Sequence, residues 1–184
     1  MCLLMIEVEN KYVLSDSKDK HFLSIAEKKD IHFSLAKNQV DMIYVSKNME
    51  GFKINPGDPV VRIRTVAGES ILTLKKKENK NMVELELGIK QPQIMDEILR
   101  NLGLKKAVTV DKTRKEARYH NINICYDEIK DIGKYLELEI LVKSEKDVAE
   151  ARKKIDKLAE TFDLEKKDIE SKLYDTLVYE KKHD

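Results

Sequence analysis

The residues able to do chemistry in this chain come as like-charged pairs two positions apart. Six carboxylates, Glu7, Glu9, Glu84, Glu86, Glu137 and Glu139, and six cations, Lys11, Arg62, Arg64, Lys75, Lys112 and Arg114, lie in short stretches that alternate apolar and charged residues. Carboxylate pairs on neighbouring strands offer hard oxygen ligands to a divalent cation, and Arg and Lys clamp phosphate oxygens, Arg through two parallel hydrogen bonds. Together these groups describe a metal and polyphosphate site. For any one strand the ordinary reading is a solvated polar face. Like charges gathered on several strands are what an exposed sheet usually avoids.

The alternation has period two, the mark of a strand with two unlike faces. In the first stretch Ile6, Val8 and Tyr12 oppose Glu7, Glu9 and Lys11. Val61 and Ile63 oppose Arg62 and Arg64; Leu72 and Leu74 oppose Thr73 and Lys75; Val83, Leu85 and Leu87 oppose Glu84 and Glu86. Lys112 and Arg114 share a face, and Glu137 and Glu139 are set against Leu136, Leu138 and Ile140. A sheet of about eight such strands, once closed, leaves an interior large enough for a small ligand, and a charged interior calls for a charged ligand. The apolar outside then needs cover, which four helical segments can give. Asp16 to Lys29 makes the first. Ile94, Ile98, Leu99 and Leu102 mark a second, ended by Gly103. Ser144 and Asp147 read as a capping box before Val148, Ala151, Ile155, Leu158 and Phe162, and a fourth holds Ile169, Leu173 and Leu177.

Composition bounds the rest. The 184 residues fit one domain, 1–184, and 41% apolar content fills a single core. Lys plus Arg is 35 and Asp plus Glu 34, a net charge of +1, without the basic excess of a protein that coats nucleic acid. Charged residues make up 38% of the chain and there is no Trp, a composition more usual in helical proteins; the strand alternation overrules it. No apolar run approaches the ~18 residues of a membrane span. Cys2 and Cys125 are too few for a disulfide framework, and with no signal-peptide pattern a cytoplasmic location is expected.

At Glu7-Val8-Glu9-Asn10-Lys11 the chain resembles the Glu-x-Glu-x-Lys signature of the CYTH, or triphosphate tunnel, superfamily: class IV adenylyl cyclases, thiamine triphosphatases and inorganic triphosphatases. The companions follow in the family's order: Gln39-x-Asp41-x-x-Tyr44, Arg62-Ile63-Arg64, Leu72-Thr73-Leu74-Lys75, Glu84-Leu85-Glu86, Lys112-Thr113-Arg114, Asp127, and Gly133 leading into Glu137-Leu138-Glu139. The likeness spans residues 6 to 140, and the tail from Ala151 to Val178, with Phe162 and Tyr174, is similar to the C-terminal helices of class IV cyclase-like members.

The resemblance implies an α+β fold, a closed eight-stranded antiparallel β tunnel covered by helices. It implies that Lys11, Arg62, Arg64, Lys75, Lys112 and Arg114 bind the triphosphate. Glu7, Glu9, Glu137 and Glu139 would hold Mg²⁺ or Mn²⁺, assisted by Glu84, Glu86 and Asp127. The expected reaction is conversion of ATP to cyclic AMP and pyrophosphate. The alternatives are hydrolysis of inorganic triphosphate, thiamine triphosphate or a nucleoside triphosphate, and non-catalytic binding of polyphosphate or nucleotide. Two motifs depart from cyclases: the His-Phe pair before the first motif is absent, and the usual Arg-Ser-Tyr reads Glu170-Ser171-Lys172-Leu173-Tyr174. Related barrels often form homodimers; no residue in this sequence marks an interface.

Smaller features take ordinary readings. His21, His32, His120 and His183 lack zinc-ligand spacing. Cys125, in an apolar run, is expected in the core. Lys76 and Lys77 read as a solvated strand end without the aromatic interleaving of a nucleic-acid patch. Tyr44 and Tyr135 are expected to pack beneath helices.

Overall fold

The computed structural model describes residues 6–52, 58–78 and 81–183. Its strands are β1 (Ile6–Leu14), β2 (Lys37–Ser46), β3 (Val60–Val66), β4 (Glu69–Glu78), β5 (Asn81–Ile89), β6 (Leu104–Tyr119), β7 (Ile122–Ile129) and β8 (Gly133–Val142). The helices are α1 (Asp16–Lys28), α2 (Pro92–Asn101), α3 (Glu145–Thr161) and α4 (Tyr174–His183), with a 3-10 turn at Lys166–Asp168. The eight strands form one antiparallel sheet in the order β1-β8-β7-β6-β2-β3-β4-β5.

β1 and β5 are thus the outer strands, and among the described residues no ladder between them closes the sheet. The expected closure is corrected on this point. Alternation reports the two faces of each strand and carries no information about which edges find a hydrogen-bonding partner.

The chain divides into two compact units, Met1–Ala36 with Thr113–Ser171 and Lys37–Lys112 with Lys172–Asp184. In the first unit the apolar faces of β1, β7 and β8 bury Val8, Tyr12, Ile124, Leu136, Leu138 and Ile140 in one core with Ala151, Ile155 and Leu158 of α3 and Phe22 of α1. Helix α1 starts where Ser15 Oγ accepts from Lys18 N at 3.4 Å. Its Asp19 is held by Tyr126, whose hydroxyl donates to Oδ1 at 2.8 Å, and by Lys134 at 2.5 Å, so a buried carboxylate fixes the helix to β7 and β8. Phe22 stacks on Tyr126 at 5.9 Å and meets Phe162 edge-on at 4.9 Å. Helix α3 is capped as expected by Ser144, but the hydroxyl accepts from Lys146 N, one position short of the capping-box partner.

In the second unit Tyr44, Val61, Ile63 and Leu99 form a smaller core, joined by Met42, Leu72, Leu74 and Met95. Helix α2 ends before Gly103, whose φ of +89° is the left-handed conformation glycine adopts without strain. The helix turns differently from the expectation: Leu99 and Met95 face in, while Ile94, Ile98 and Leu102 are exposed. The expected fourth helix is also displaced. Ile169 lies in a one-residue antiparallel bridge with Tyr12, supported by Glu170 N donating to Lys11 O at 2.8 Å, and the helix begins at Tyr174. Main-chain pairing with β1 satisfies donors that a helix start at 169 would have left without partners. Among the described residues no helix is long and apolar enough to cross a membrane.

Ile155 has no exposed surface and Leu35 is 89% exposed. Ile155→Ala should therefore lower the unfolding free energy by about 2–5 kcal/mol, and Leu35→Ala should stay within about 0.5 kcal/mol, as read from urea denaturation.

Candidate functional site

In the first unit the ladder between β1 and β8 sets Glu9 opposite Glu139 and Lys11 opposite Glu137. Because successive side chains alternate, Glu7, Glu9 and Lys11 share one face with Glu137 and Glu139, the face turned from the helix-packed core. β7 extends it, with Asn123 opposite Glu139, Cys125 opposite Glu137 and Asp127 opposite Tyr135. Strand pairing by itself therefore gathers four of the carboxylates singled out in the sequence. Loss of water, then the charges of Glu137 and Glu7 and a hydrogen bond to Glu7, push Glu9 up to about 7, against the pull of Lys11. The Glu9 side chain keeps contact with solvent, which screens part of this repulsion. Burial, Glu9 and Glu137 likewise raise Glu139, while a hydrogen bond from Asn123 and the charge of Arg114 oppose the rise.

Arg114 carries the balancing charge. Its Nε donates to Asp127 Oδ1 at 2.6 Å, and its Nη2 donates to Asp127 Oδ2 at 2.5 Å and to Glu137 Oε2. Burial would push the guanidinium down; the bonds and charge of Asp127 and the charge of Glu137 reverse this and raise it. Asp127, with no exposed surface, is thereby fixed by a two-pronged ion pair. Cys125 is buried here, and burial pushes its thiol up to about 12 with Arg114 opposing, the behaviour of a packed neutral thiol.

In the second unit the register aligns a polar face across four strands. Asp41 lies opposite Arg64 and Ile43 opposite Arg62. Arg62 lies opposite Thr73 and Val60 opposite Lys75; Thr73 lies opposite Glu86 and Lys75 opposite Glu84. Arg64 grips Asp41 with two bonds, Nε to Oδ1 at 2.8 Å and Nη2 to Oδ2 at 2.7 Å. Burial alone would raise Asp41; the bonds and charge of Arg64, with Arg62 and Lys112, hold it below the usual carboxylate range. Lys75 pairs with Glu84 at 3.1 Å. Thr73 accepts from Arg62 Nη2 at 3.3 Å and donates to Glu86 at 3.2 Å. Lys112, 4% exposed, lies with its ammonium 4.8 Å from the centre of the Tyr174 ring.

Arg62 is less well matched. Its side chain is 14% exposed and its nearest carboxylate oxygen, on Glu84, is 3.7 Å away. Its buried Nε has no hydrogen-bond acceptor among the described residues. Burial and the adjacent charge of Arg64 lower the guanidinium, with Asp41, Glu84 and Glu86 opposing.

Each residue expected at the site thus lies on the polar face of its own unit. Glu7, Glu9, Lys11, Arg114, Asp127, Glu137 and Glu139 gather in the first, and Arg62, Arg64, Lys75, Lys112, Glu84 and Glu86 in the second. Within the second unit Glu84 and Glu86 stand among cations and Thr73. Among the described residues no three His, Cys, Asp or Glu groups converge as a ready-made metal cage. The crowded carboxylates of the first unit still fit a hard divalent cation, because Mg²⁺ commonly takes one or two carboxylates and completes its shell with water and phosphate oxygens. Sequence reasoning gave Asp41, Thr73 and Asn123 no role, although Asp41 stood in the Gln39-x-Asp41-x-x-Tyr44 motif and Thr73 on the face of Lys75. Tyr44 packs beneath α2 as expected and donates to Asp96 at 2.6 Å. Tyr135 instead shares the face of Glu137 and Glu139, since its odd position on β8 turns it from the helices.

The fold and these faces place the chain in a known class: it belongs to the CYTH domain family, matched over residues 5–174. It is 30% identical over 161 residues to the protein named "Putative adenylate cyclase MJ0240" of Methanocaldococcus jannaschii, covering 85% of this chain and 87% of that one. The solved structure of PH1819 from Pyrococcus horikoshii OT3 is similar, with 27% identity, 96% of this chain and 99% of that chain covered, and a TM-score of 0.75. PH1012 of the same organism shares the fold at 23% identity, covering 94% and 99%, with a TM-score of 0.76.

Two outcomes follow from the geometry. Arg114→Ala takes the guanidinium from the buried Asp127 and should cost roughly 3–5 kcal/mol in chemical denaturation. An acid whose folded pKa is raised binds more protons folded than unfolded, so stability is present below the unfolded pKa and falls as pH rises through the folded one. For Glu9 that window runs from its ordinary 4.5 to about 7. Melting temperature measured with a chelator present should fall from pH 5 to pH 7.5 relative to its trend in Glu9→Gln, and parallel curves for the two proteins would refute the crowding.

Proposed function

We propose that this protein is an enzyme that processes a triphosphate with a divalent metal, and that its reaction is of the class IV adenylyl cyclase type, ATP to cyclic AMP and pyrophosphate. The observation that carries the phosphate half of this reading is Arg62, a buried guanidinium beside a second one, with an Nε that has no acceptor among the described residues. Such a group is a costly arrangement for a structural residue and a suitable one for an arriving polyanion. Family membership supports the reaction class, and the relative bearing an adenylate cyclase name supports cyclisation over hydrolysis.

In this reading the second unit's cations bind phosphate oxygens. Asp41 holds Arg64, and Glu84 holds Lys75, so both cations are oriented before substrate arrives. Arg62 makes its missing bonds to the phosphates, and Lys11, Lys112 and Arg114 add positive charge. Glu7, Glu9, Glu137 and Glu139 would hold Mg²⁺ or Mn²⁺, with Glu84, Glu86 and Asp127 in support. When bound, the metal supplies charge neutralisation on phosphate oxygens and lowers the pKa of an attacking oxygen. Phosphoryl transfer asks little covalent chemistry of a protein, and these side chains give what it does ask, charge and alignment. The ribose 3′-hydroxyl oxygen attacks the α-phosphorus and gives up its proton to solvent, while the bond from that phosphorus to the bridging oxygen of the β-phosphate breaks to release pyrophosphate. The same reading places the protein in the cytoplasm, where its substrate is available.

The test is product analysis after incubation with ATP or inorganic triphosphate, each with Mg²⁺, Mn²⁺ or EDTA. Cyclic AMP and pyrophosphate, made only with metal, is the expected result. Orthophosphate without cyclic nucleotide would make the protein a triphosphatase, and binding without any product would make it a binder. Arg62→Leu should lower turnover on the order of 10²–10³-fold while leaving thermal stability unchanged or raised, since it removes a buried, poorly matched charge.

A further inference from the structure

On the helix-packed face of β1, Val8, Tyr12 and Leu14 are core residues, and among them stands one polar side chain, Asn10, which is 9% exposed. Its neighbours in sequence, Glu9 and Lys11, lie on the opposite, charged face. We propose that Asn10, with Arg152 and Asp156 of α3, forms a positioning device that fixes Glu9 and Lys11 for metal and phosphate, and that Arg152 is its clamp. The inference rests on the triphosphate reading above and goes beyond it by assigning residues that reading does not use.

Two observations carry it. The first is that the buried amide is fully engaged. Asn10 Nδ2 donates to the Tyr12 hydroxyl at 3.0 Å and to Asp156 Oδ1 at 3.2 Å, and Asn10 Oδ1 accepts from Arg152 Nη1 at 2.6 Å. Arg152 Nη1 also donates to the main-chain oxygen of Glu9 at 3.1 Å. Arg152 and Asp156 are four positions apart, so one face of α3 presents both to the strand. An apolar side chain at position 10 would serve packing as its neighbours do, since replacing a hydrogen-bonded buried group by an apolar one of the same shape costs little. The network therefore meets a requirement of position rather than of burial.

The second observation is where the network acts. β8 lies between β1 and β7, so Glu137 and Glu139 stand on a strand laddered on both sides. Glu7, Glu9 and Lys11 stand on an outer strand, which among the described residues is laddered to β8 alone. On its other side β1 is fastened by two bonds from the C-terminal part of the chain: Arg152 to Glu9 O, and Glu170 N to Lys11 O at 2.8 Å. The two carbonyls held in this way belong to the residues whose side chains are assigned to metal and to phosphate. Groups that orient a metal's ligands without touching the ion commonly account for about 10–100-fold in affinity or activity. Arg152 is such a group, acting on Glu9 and Lys11 through the main chain of β1.

Titration calorimetry of the whole chain with Mn²⁺ alone, without nucleotide, tests the assignment. Arg152→Met keeps the alkyl stem and removes both bonds; it should stay folded by circular dichroism and bind Mn²⁺ more weakly by on the order of tenfold. Arg152→Lys, which keeps the charge and one donor, should recover most of that affinity. Lys153→Met, which removes a charge from the next position of α3, should bind Mn²⁺ as the wild type does. Asn10→Leu repeats the test from the strand: its urea midpoint should be unchanged or raised while its Mn²⁺ affinity falls, a separation that a merely structural role would not produce. Wild-type Mn²⁺ affinity in folded Arg152→Met, or in Asn10→Leu should the first variant not fold, would overturn the positioning role and leave the triphosphate reading intact. So would an equal loss in Lys153→Met. Failure of the wild type to bind Mn²⁺ would overturn the metal half of that reading, and the positioning role with it.

Discussion

Carboxylates brought side by side by strand pairing must be neutralised or protonated, and much of this structure answers that requirement. Glu9 faces Glu139 across the ladder between β1 and β8, with Glu7 and Glu137 one step along the same face. The backbone hydrogen bonds that pair the strands fix this spacing whatever the side chains prefer. The charge is met in two ways: Arg114 compensates Glu137 and Asp127 from within, and Glu9 holds a proton up to about 7. Neither answer serves the fold at low cost, since apolar residues of similar volume often stabilise as well as a buried ion pair. A cluster kept at that cost is the usual mark of a binding site.

The second unit treats its cations differently. Arg64 and Lys75 each have a carboxylate partner, and Arg62 has only weak ones. Pairing keeps Arg64 and Lys75 in one geometry and lowers the entropy lost when an anion binds them, at the expense of competing with that anion. Arg62 has the opposite balance. It is held by burial and by its strand, and its Nε is left for an acceptor from outside. In the proposed reading, the fixed and unsatisfied cations of this face divide the work, one kind orienting and the other binding.

Six of the strands were legible from period-two alternation of apolar and charged residues, although on β5 the apolar Leu85 and Leu87 are exposed rather than covered by a helix. β2 and β7 were not: Lys37–Ser46 and Ile122–Ile129 are buried on both faces over much of their length, and the alternation disappears. Helix α3 was legible through Ser144 and the spacing of Ala151, Ile155 and Leu158. The orientation of α2 was not, since Ile94, Met95, Ile98 and Leu99 on a ten-residue helix leave its buried side undetermined and only packing against Tyr44 and Ile63 decides it. At the site, like-charged pairs revealed which residues share a face. They could not reveal that Asp127 would serve as Arg114's counter-ion, or that Asp41 would hold Arg64, because alternation does not report the register in which neighbouring strands pair.

The same logic separates what the charged faces decide from what they leave to the rest of the chain. In the proposed reading, Arg, Lys and Glu on adjacent strands meet phosphate and metal, chemistry common to any triphosphate. Ser34 lies outside the alternating strands, fastened to β6 by bonds that involve Glu116 alone, and Arg118 and Asn123 stand where β6 and β7 run on from the charged rows. Substitutions at Ser34 or Arg118 leave the contacts of the carboxylate cluster in place, whereas Asn123 hydrogen-bonds Glu139 and belongs to it. Substitutions at Arg114 or Glu139 disturb it directly, because those two side chains carry the charge balance that maintains the face.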